Sequence, residues 1–226
     1  MQNAHNETRD DMTGVLLAGG GSTRMGRDKA SLLLDGQPLY ARVRRALASI
    51  CSQVLIAGDR PDLATDQCPA FADSFPGSSL GGLHNALRHA GTEWVCVLPC
   101  DLPYPSPRLL QALFDRRGPT VDAVVPRHPG GIEPLIACYR RAILPMVEEQ
   151  LSQGQLRLTA LLGRLRVAWI EPAHLPPGWR RALRNLNAPD DYARLQAPPP
   201  AVTFIARSGT GKTTLVEQVI AELVRR

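Results

Sequence analysis

The chain has 226 residues, a length that supports one well-buried domain and little more. Its 44% hydrophobic and 21% charged content is ordinary for a globular protein, and no apolar run approaches the roughly 20 residues of a membrane span. The net charge of +5 suits anionic small molecules, whereas scattered basic residues and only 5% aromatic residues give little support to nucleic-acid binding.

The cysteines and the first residues bear on location. The five cysteines form no C-x-x-C pair, which argues against a disulfide framework and against a zinc site. We therefore expect a reducing, cytoplasmic location. Residues 1–11 are polar and lack the apolar segment of a secretory signal, and we expect a disordered leader there.

Strand and helix patterns alternate from residue 12 onward. Short apolar runs predict strands at Met12–Ala18, Gln53–Ala57, Glu93–Leu98, Val121–Val125, Leu135–Tyr139 and Leu165–Ile170. Helical spacing predicts helices at Pro38–Ile50, Ser79–Ala90, Ser106–Arg116 and Asp190–Leu195. It predicts a further helix that follows the strand Leu135–Tyr139 and continues through Leu151. This alternation predicts a three-layer α/β domain with a mainly parallel sheet over residues 12–196, whose ligands bind at the carboxyl ends of the strands.

The composition changes at residues 197–200, an alanine followed by three prolines, which we interpret as a stiff linker. Residues 201–226 then predict a strand at Ala201–Ala206, a phosphate-binding loop and a helix. The loop resembles a Walker A motif, but Ala206 stands where its first glycine belongs. One strand, one loop and one helix do not make a domain, so we expect an incomplete P-loop segment without GTPase activity of its own. Its P-loop residues are Gly209, Gly211, Lys212 and Thr213.

Lysine is rare in this chain. Only two of the 26 basic residues are lysines, Lys29 and Lys212, and each lies in a glycine-rich segment. Lysine carries a compact, mobile ammonium that can follow phosphate charge. This distribution favours a phosphate-related role for both.

A glycine-rich segment, Leu17-Ala-Gly-Gly-Gly-Ser-Thr-Arg-Met-Gly-Arg-Asp-Lys29, follows the first predicted strand. Its three consecutive glycines let backbone N–H groups turn toward phosphate oxygens. Arg24 and Lys29 add positive charge where phosphate transfer builds negative charge. Glycines alone would also fit an exposed turn, but the order of Arg24, Asp28 and Lys29 favours a phosphate site.

This segment resembles the opening motif of the molybdenum cofactor guanylyltransferase family: L-A-G-G, then R-M-G, one variable residue and D-K. The resemblance covers residues 12–196 and implies a Rossmann-like nucleotidyltransferase domain. It implies an enzyme that uses Mg²⁺ to transfer GMP from GTP to molybdopterin, releasing pyrophosphate. Other cofactor-biosynthesis proteins and molybdoenzyme chaperones are further implied partners.

The segment Leu98-Pro-Cys-Asp-Leu-Pro103 follows the third predicted strand. A carboxylate at the end of a strand and between prolines is well placed to bind Mg²⁺. The family has P-C-D-x-P at this point, so the resemblance implies Asp101 as the metal ligand.

Two more segments contribute candidates through the resemblance. Asp73 precedes a glycine-containing turn, as a nucleotide-site Asp of the family does, although Ser78-Ser79-Leu80 replaces the usual Gly-Pro-Leu. Asn185 and Asn187 are similar to family residues associated with the acceptor, and Asn side chains suit a pterin because they donate and accept. Gly131-Ile-Glu-Pro-Leu135 also resembles an acceptor-side segment. A helix-preceding Asp or turn-forming Asn residues are the structural alternatives.

The resemblance thus implies a complete set of site residues. The implied nucleotide-binding residues are Leu17, Ala18, Gly19, Gly20, Gly21, Lys29, Asp73 and Asp101, and the implied catalytic residues are Arg24, Lys29 and Asp101. The guanine would lie against the backbone of residues 17–19. Some relatives have an Asn at the end of the second strand that touches the nucleotide; Asp59 stands here, and an ionised carboxylate cannot donate that hydrogen bond.

Two other functions stay open. A cytidylyltransferase would make the cytosine form of the cofactor; such enzymes tend to have Ala-Ala-Gly where Ala18-Gly19-Gly20 stands, and glycine leaves more room for a purine. A GTP-binding adaptor would work through the C-terminal P-loop, which resembles the start of the MobB-type partner protein. The missing second half of that domain argues against the adaptor.

Overall fold

The computed structural model describes residues 12–19, 28–186, 188–196 and 212–225. By their contacts, residues up to Tyr192 and residues from Ala193 onward form two units. The strands are β1 (Met12–Leu17), β2 (Leu33–Leu34), β3 (Gln37–Pro38), β4 (Gln53–Ala57), β5 (Ala70–Phe71), β6 (Trp94–Pro99), β7 (Ala123–His128), β8 (Gly131–Ile132), β9 (Ala137–Arg140) and β10 (Val167–Ile170). The helices are α1 (Leu39–Ala48), α2 (Ser79–His89), α3 (Pro107–Asp115), α4 (Leu144–Ser152), α5 (Leu158–Leu162), α6 (Trp179–Ala182), α7 (Pro189–Gln196) and α8 (Lys212–Arg225).

One mixed sheet organises the first unit. Its main strands run in the order β10-β7-β9-β6-β1-β4-β5, and β8 pairs with the C-terminal end of β7. The pairs around β1 and β4 and the β10–β7 pair are parallel, whereas β9 runs antiparallel to both β6 and β7. All six residues of β1 and of β6 are buried, as expected for central strands covered on both faces.

Helices cover both faces of this sheet. Leu16 of β1 packs in a core that includes residues of α1 and α3, whereas Val15 and Leu17 pack in a second core with residues of α2, α4 and α5. Neighbouring residues of β1 thus supply opposite cores, because successive side chains of a strand point to opposite faces. The predicted three-layer α/β fold with a mainly parallel sheet is confirmed.

The predicted strands and helices of residues 12–196 are present, with shifted ends. The structure corrects two boundaries. Pro38, predicted to lie in the first turn of a helix, instead pairs with Leu33 in a small β2–β3 hairpin, and α1 begins at Leu39. The strand predicted at Leu135–Tyr139 is β9 at Ala137–Arg140, because the chain before it still forms a turn in which Ile136 N–H donates to Glu133 O.

In the second unit, α8 confirms the helix predicted near the C-terminus. The predicted leader, linker, P-loop and strand Ala201–Ala206 lie outside the described residues, and so do Gly209 and Gly211. Lys212 is described as part of α8, and Thr213 is an exposed residue of that helix. Among the described residues, every helix is too short or too polar to span a membrane.

Candidate active site

A cleft of about 900 Å³ opens at the carboxyl ends of the central strands. The predicted site residues that line it are Leu17, Ala18, Gly19, Lys29, Asp73, Asp101 and Asn185. These residues come from four separate segments, which the crossover connections of the sheet bring to one edge. Gly20, Gly21, Arg24 and Asn187 lie outside the described residues.

The loop after β6 pairs with the end of the glycine-rich segment. Lys29 Nζ donates to Leu186 O at 2.8 Å and lies 3.4 Å from Asp101 Oδ2. In the backbone, Leu186 N–H donates to Asp101 O at 3.1 Å. The ammonium and the carboxylate are therefore held together by the chain segment that also carries Asn185.

Burial decides the electrostatics of Asp101. Removal from water raises the pKa of its carboxyl, and the nearby Lys29 charge lowers it by less, so the pKa stays above its usual value. The ionised carboxylate is thus only partly compensated by the described residues around it. A cation at this position would complete the compensation.

One carboxylate oxygen of the cleft is available for a metal ion such as Mg²⁺. Asp101 Oδ1 is buried and has no hydrogen-bond partner among the described residues. The described part of the chain contains no cluster of three or more His, Cys, Asp or Glu side chains that could enclose a metal. The Asp101 carboxylate, with one buried oxygen that no described residue hydrogen-bonds, suits Mg²⁺, which binds nucleotide sites through one or two carboxylates, waters and substrate phosphates. The residues present therefore fit the ion.

The ends of β1 and β4 approach closely beside Asp73. The N–H groups of Ala18 and Gly19 both donate to Ala57 O, at 2.8 and 3.1 Å. Gly58 has a φ of +137°, and a Cβ there would lie 2.6 Å from Gly19 N. A Cβ on Gly19 would lie 2.3 Å from Asp73 Oδ2. The Asp73 carboxylate thus already fills the space beside Gly19.

The sequence resemblance implies that this cleft binds GTP, and we expect Gly19→Ala to weaken that binding about tenfold, because the new methyl group must push the Asp73 carboxylate out of place. Titration calorimetry with GTP and Mg²⁺ measures this loss. Gly82→Ala is the matched control, since Gly82 also lines the cleft but its Cβ would make only an ordinary 3.6 Å contact with Leu17. Equal affinity of both variants and the wild type would contradict this account.

A salt-bridge network that the sequence did not reveal borders the cleft. Arg60 donates to both carboxylate oxygens of Asp28, at 3.0 and 2.8 Å, and also binds Asp62. Burial alone would raise the pKa of Asp28, but the hydrogen bonds from Arg60 and Ser31 and the Arg60 charge outweigh it and lower that pKa. The network ties the residue before Lys29 to the loop after β4. The only sequence signal for Arg60 was its place just beyond a predicted strand end.

Two further side chains define the chemistry of the cleft. Asp59 is exposed, lines the cleft and has no hydrogen bond or ion pair with the described residues. Burial, followed by the charge of Asp101, raises the pKa of the Cys100 thiol to about 12. The Cys100 thiol is therefore protonated at neutral pH, the form that reacts poorly as a nucleophile.

Comparison with known proteins identifies the domain. Residues 14–169 match the family model of the MobA-like NTP transferase domain. The molybdenum cofactor guanylyltransferase of Desulfosudis oleivorans is 34% identical over 169 residues, which cover 74% of this chain and 84% of that protein. The molybdenum cofactor guanylyltransferase of Vibrio cholerae is 30% identical over 194 residues, 84% of this chain and 94% of that protein.

Solved structures agree in fold. Molybdopterin-guanine dinucleotide biosynthesis protein A from Archaeoglobus fulgidus superposes with a TM-score of 0.68 at 26% identity, over 81% of this chain and 96% of that one. The 2-C-methyl-D-erythritol 4-phosphate cytidylyltransferase of Thermus thermophilus, at 16% identity and a TM-score of 0.59, shares the fold alone, over 80% of this chain and 96% of that one. By its sequence match, its relatives and its fold, the chain belongs to the MobA-like nucleotidyltransferase family.

Proposed function

We propose that the cleft transfers GMP from GTP to the phosphate of molybdopterin, forming the guanine dinucleotide cofactor and pyrophosphate. The observation that carries this proposal is the Lys29–Asp101 pair at the carboxyl ends of the parallel strands. It stands in a chain whose relatives, at 30% and 34% identity, are named molybdenum cofactor guanylyltransferase.

The reaction is a direct displacement at phosphorus. An oxygen of the acceptor phosphate attacks the α-phosphorus of GTP, the bond from that phosphorus to the α–β bridging oxygen breaks, and pyrophosphate leaves with the electron pair. No protein nucleophile is needed, in agreement with a protonated Cys100. Lys29, held by Leu186 O, offers its charge to the phosphates, and we propose that Arg24 adds a second charge.

Two buried side-chain oxygens, Asp101 Oδ1 and Asn185 Oδ1, are candidates for binding the metal ion and the acceptor. Asp101 would hold Mg²⁺ through its unpaired Oδ1, and the bound ion would neutralise phosphate charge. Asn185 Oδ1 is also buried without a partner among the described residues, and it lines the same cleft. An amide oxygen suits the N–H donors of a pterin, so we assign Asn185, with Asn187, to the acceptor.

Asp59 supports guanine as the base. The guanine edge carries two adjacent donors, the ring N1–H and the 2-amino group, which match the two oxygens of one carboxylate. Cytosine offers only its 4-amino group as a donor on the corresponding edge. The exposed Asp59 carboxylate lies just beyond β4 and has no partner among the described residues, so it complements guanine better than the Asn of some relatives. Transfer of CMP is the second candidate function. Gly19 argues against it, because cytidylyltransferases that make the cytosine form of the cofactor tend to have alanine at this position.

We expect GTP to bind the full chain with Mg²⁺ at least about tenfold more tightly than CTP or ATP. Asp59→Asn should shift the preference from GTP toward xanthosine triphosphate by about tenfold or more, because the amide then donates to the 2-oxo group. Calorimetry and a transfer assay with molybdopterin measure both effects. Asp66→Asn, an exposed carboxylate between β4 and β5 that does not line the cleft, is the matched control.

Other results of this experiment have clear meanings. A preference for CTP would assign the chain to cytidylyl transfer. Failure to bind any nucleotide would overturn the proposed site. An unchanged selectivity in Asp59→Asn, with GTP transfer intact, would remove Asp59 from base recognition and leave the rest of the proposal standing.

The C-terminal segment receives a separate proposal. We propose that residues 201–226 are similar to the start of a MobB-type P-loop but bind no GTP, because Ala206 stands where the first glycine of a Walker A motif belongs. The same titration tests this, because a working P-loop would raise the stoichiometry from one GTP per chain to two. The cytoplasmic location and the contacts with other cofactor-biosynthesis proteins and molybdoenzyme chaperones stay predictions.

A further inference from the structure

A buried amide lies behind the Asp73 carboxylate. Asn85, on the inner face of α2, is only 2% exposed. Its Nδ2 donates to Asp73 Oδ1 at 2.6 Å and to Phe71 O at 2.6 Å. Both hydrogens of the amide are therefore used, one by the carboxylate and one by the end of β5.

The other side of the amide is fixed as well. His89 Nδ1 lies 2.8 Å from Asn85 Oδ1 and 3.0 Å from Asn85 O, and both of these oxygens can only accept. We therefore assign the proton of the imidazole to Nδ1. The His89 ring stacks on Phe71 with centroids 4.0 Å apart and planes at 13°, which fixes the ring. A flipped Asn85 amide would direct its oxygen at the Asp73 carboxylate and at Phe71 O, so only one orientation satisfies all partners.

This arrangement determines which carboxylate oxygen remains available. Asp73 Oδ1 is occupied by Asn85, whereas Oδ2 is the atom closest to the position of a Cβ on Gly19. Asp73 and Gly19 both line the cleft, as Lys29 and Asp101 do. The helix thus restrains the carboxylate through Oδ1, whereas no described residue donates a hydrogen bond to Oδ2, which can accept one from a ligand.

We propose that Asn85 is a positioning residue, which together with His89 orients Asp73 toward a hydrogen-bond donor of the bound nucleotide. This inference rests on the proposed function, since it requires GTP in the cleft. Asn85 reaches the nucleotide only through Asp73. Its loss should therefore affect the KM for GTP rather than the rate at saturating GTP.

The test is Asn85→Asp, which keeps the shape but replaces the donor by an acceptor. At neutral pH two carboxylates would face each other, and we expect the KM for GTP to rise about tenfold with kcat changed less than about twofold. Lowering the pH to about 5.5 lets the pair share one proton and restores the hydrogen bond, so the KM should return toward the wild-type value. The titratable groups in hydrogen-bond contact with Asn85 are Asp73 and His89, and the wild type contains both, so its own pH profile is the reference.

A second variant guards against a folding defect. His89→Phe keeps the stack on Phe71 but deletes the Nδ1 donor, and we expect a KM about threefold higher with a thermal midpoint lowered by only a few degrees, because the buried Asn85 oxygen loses its donor. Arg88→Ala, on the exposed face of α2, is the control without effect. A wild-type KM in both test variants, or a loss of kcat without rescue at low pH, would overturn the inference. A wild type without GTP transfer would instead contradict the proposed function.

Discussion

Asp101→Asn is expected to reduce GMP transfer about a thousandfold, equivalent to about 4 kcal/mol of transition-state stabilisation. The amide keeps the shape of the side chain but lacks the charge that would hold Mg²⁺ against the phosphates. Initial rates of pyrophosphate release at saturating GTP and Mg²⁺ measure the loss. Asp66→Asn removes an exposed carboxylate outside the cleft and should retain the wild-type rate.

The thermal stability of Asp101→Asn distinguishes the loss of a metal ligand from damage to the fold. Burial raises the pKa of Asp101, so the stability that its neutral form contributes is present at low pH and is lost as the pH rises through that raised pKa. At neutral pH without Mg²⁺ the ionised carboxylate therefore costs stability, and the Asn variant avoids this cost. We expect its thermal midpoint in metal-free buffer to be no lower than that of the wild type. Full Mg²⁺-dependent transfer by Asp101→Asn would contradict the assignment.

The main elements of the fold were predictable because their patterns are strong. β1 and β6 are continuous apolar runs, and both are entirely buried in the sheet. The short strands β2, β3, β5 and β8 have two residues each, too few to show any periodicity. The antiparallel direction of β9 was also beyond sequence reasoning, because apolar pattern does not encode strand direction.

The sequence motifs named candidate residues that the fold brings into one cleft, but they gave no indication of contacts between segments that are distant in the chain. Lys29, Asp73, Asp101 and Asn185 follow from motifs, and the topology brings them into one cleft. Arg60 was missed because its partner Asp28 lies 32 residues earlier in the chain. Asn85 left one weak signal, a polar residue among the apolar positions of the predicted helix Ser79–Ala90, whose meaning requires the position of Asp73.

Lys29→Met is expected to lower kcat by two to three orders of magnitude, the usual effect of removing one group that stabilises developing charge (about 10²- to 10³-fold). Methionine has a similar length but carries no charge. Lys29→Arg should not restore the rate, because the larger planar guanidinium does not fit the contacts that Nζ makes with Leu186 O and Asp101. Single-turnover kinetics with radiolabelled GTP measure the chemical step apart from binding.

Combining Lys29→Met with Asp101→Asn should restore stability but not activity. Lys29→Met leaves the buried Asp101 carboxylate without its partner, so the thermal midpoint in metal-free buffer should fall, most clearly at neutral pH. Adding Asp101→Asn to Lys29→Met removes the unpaired charge and should restore that midpoint. The transfer rate of the double variant should equal that of the less active single variant. Additive effects on both quantities would mean that Lys29 and Asp101 act independently and that their 3.4 Å approach has no role in the site.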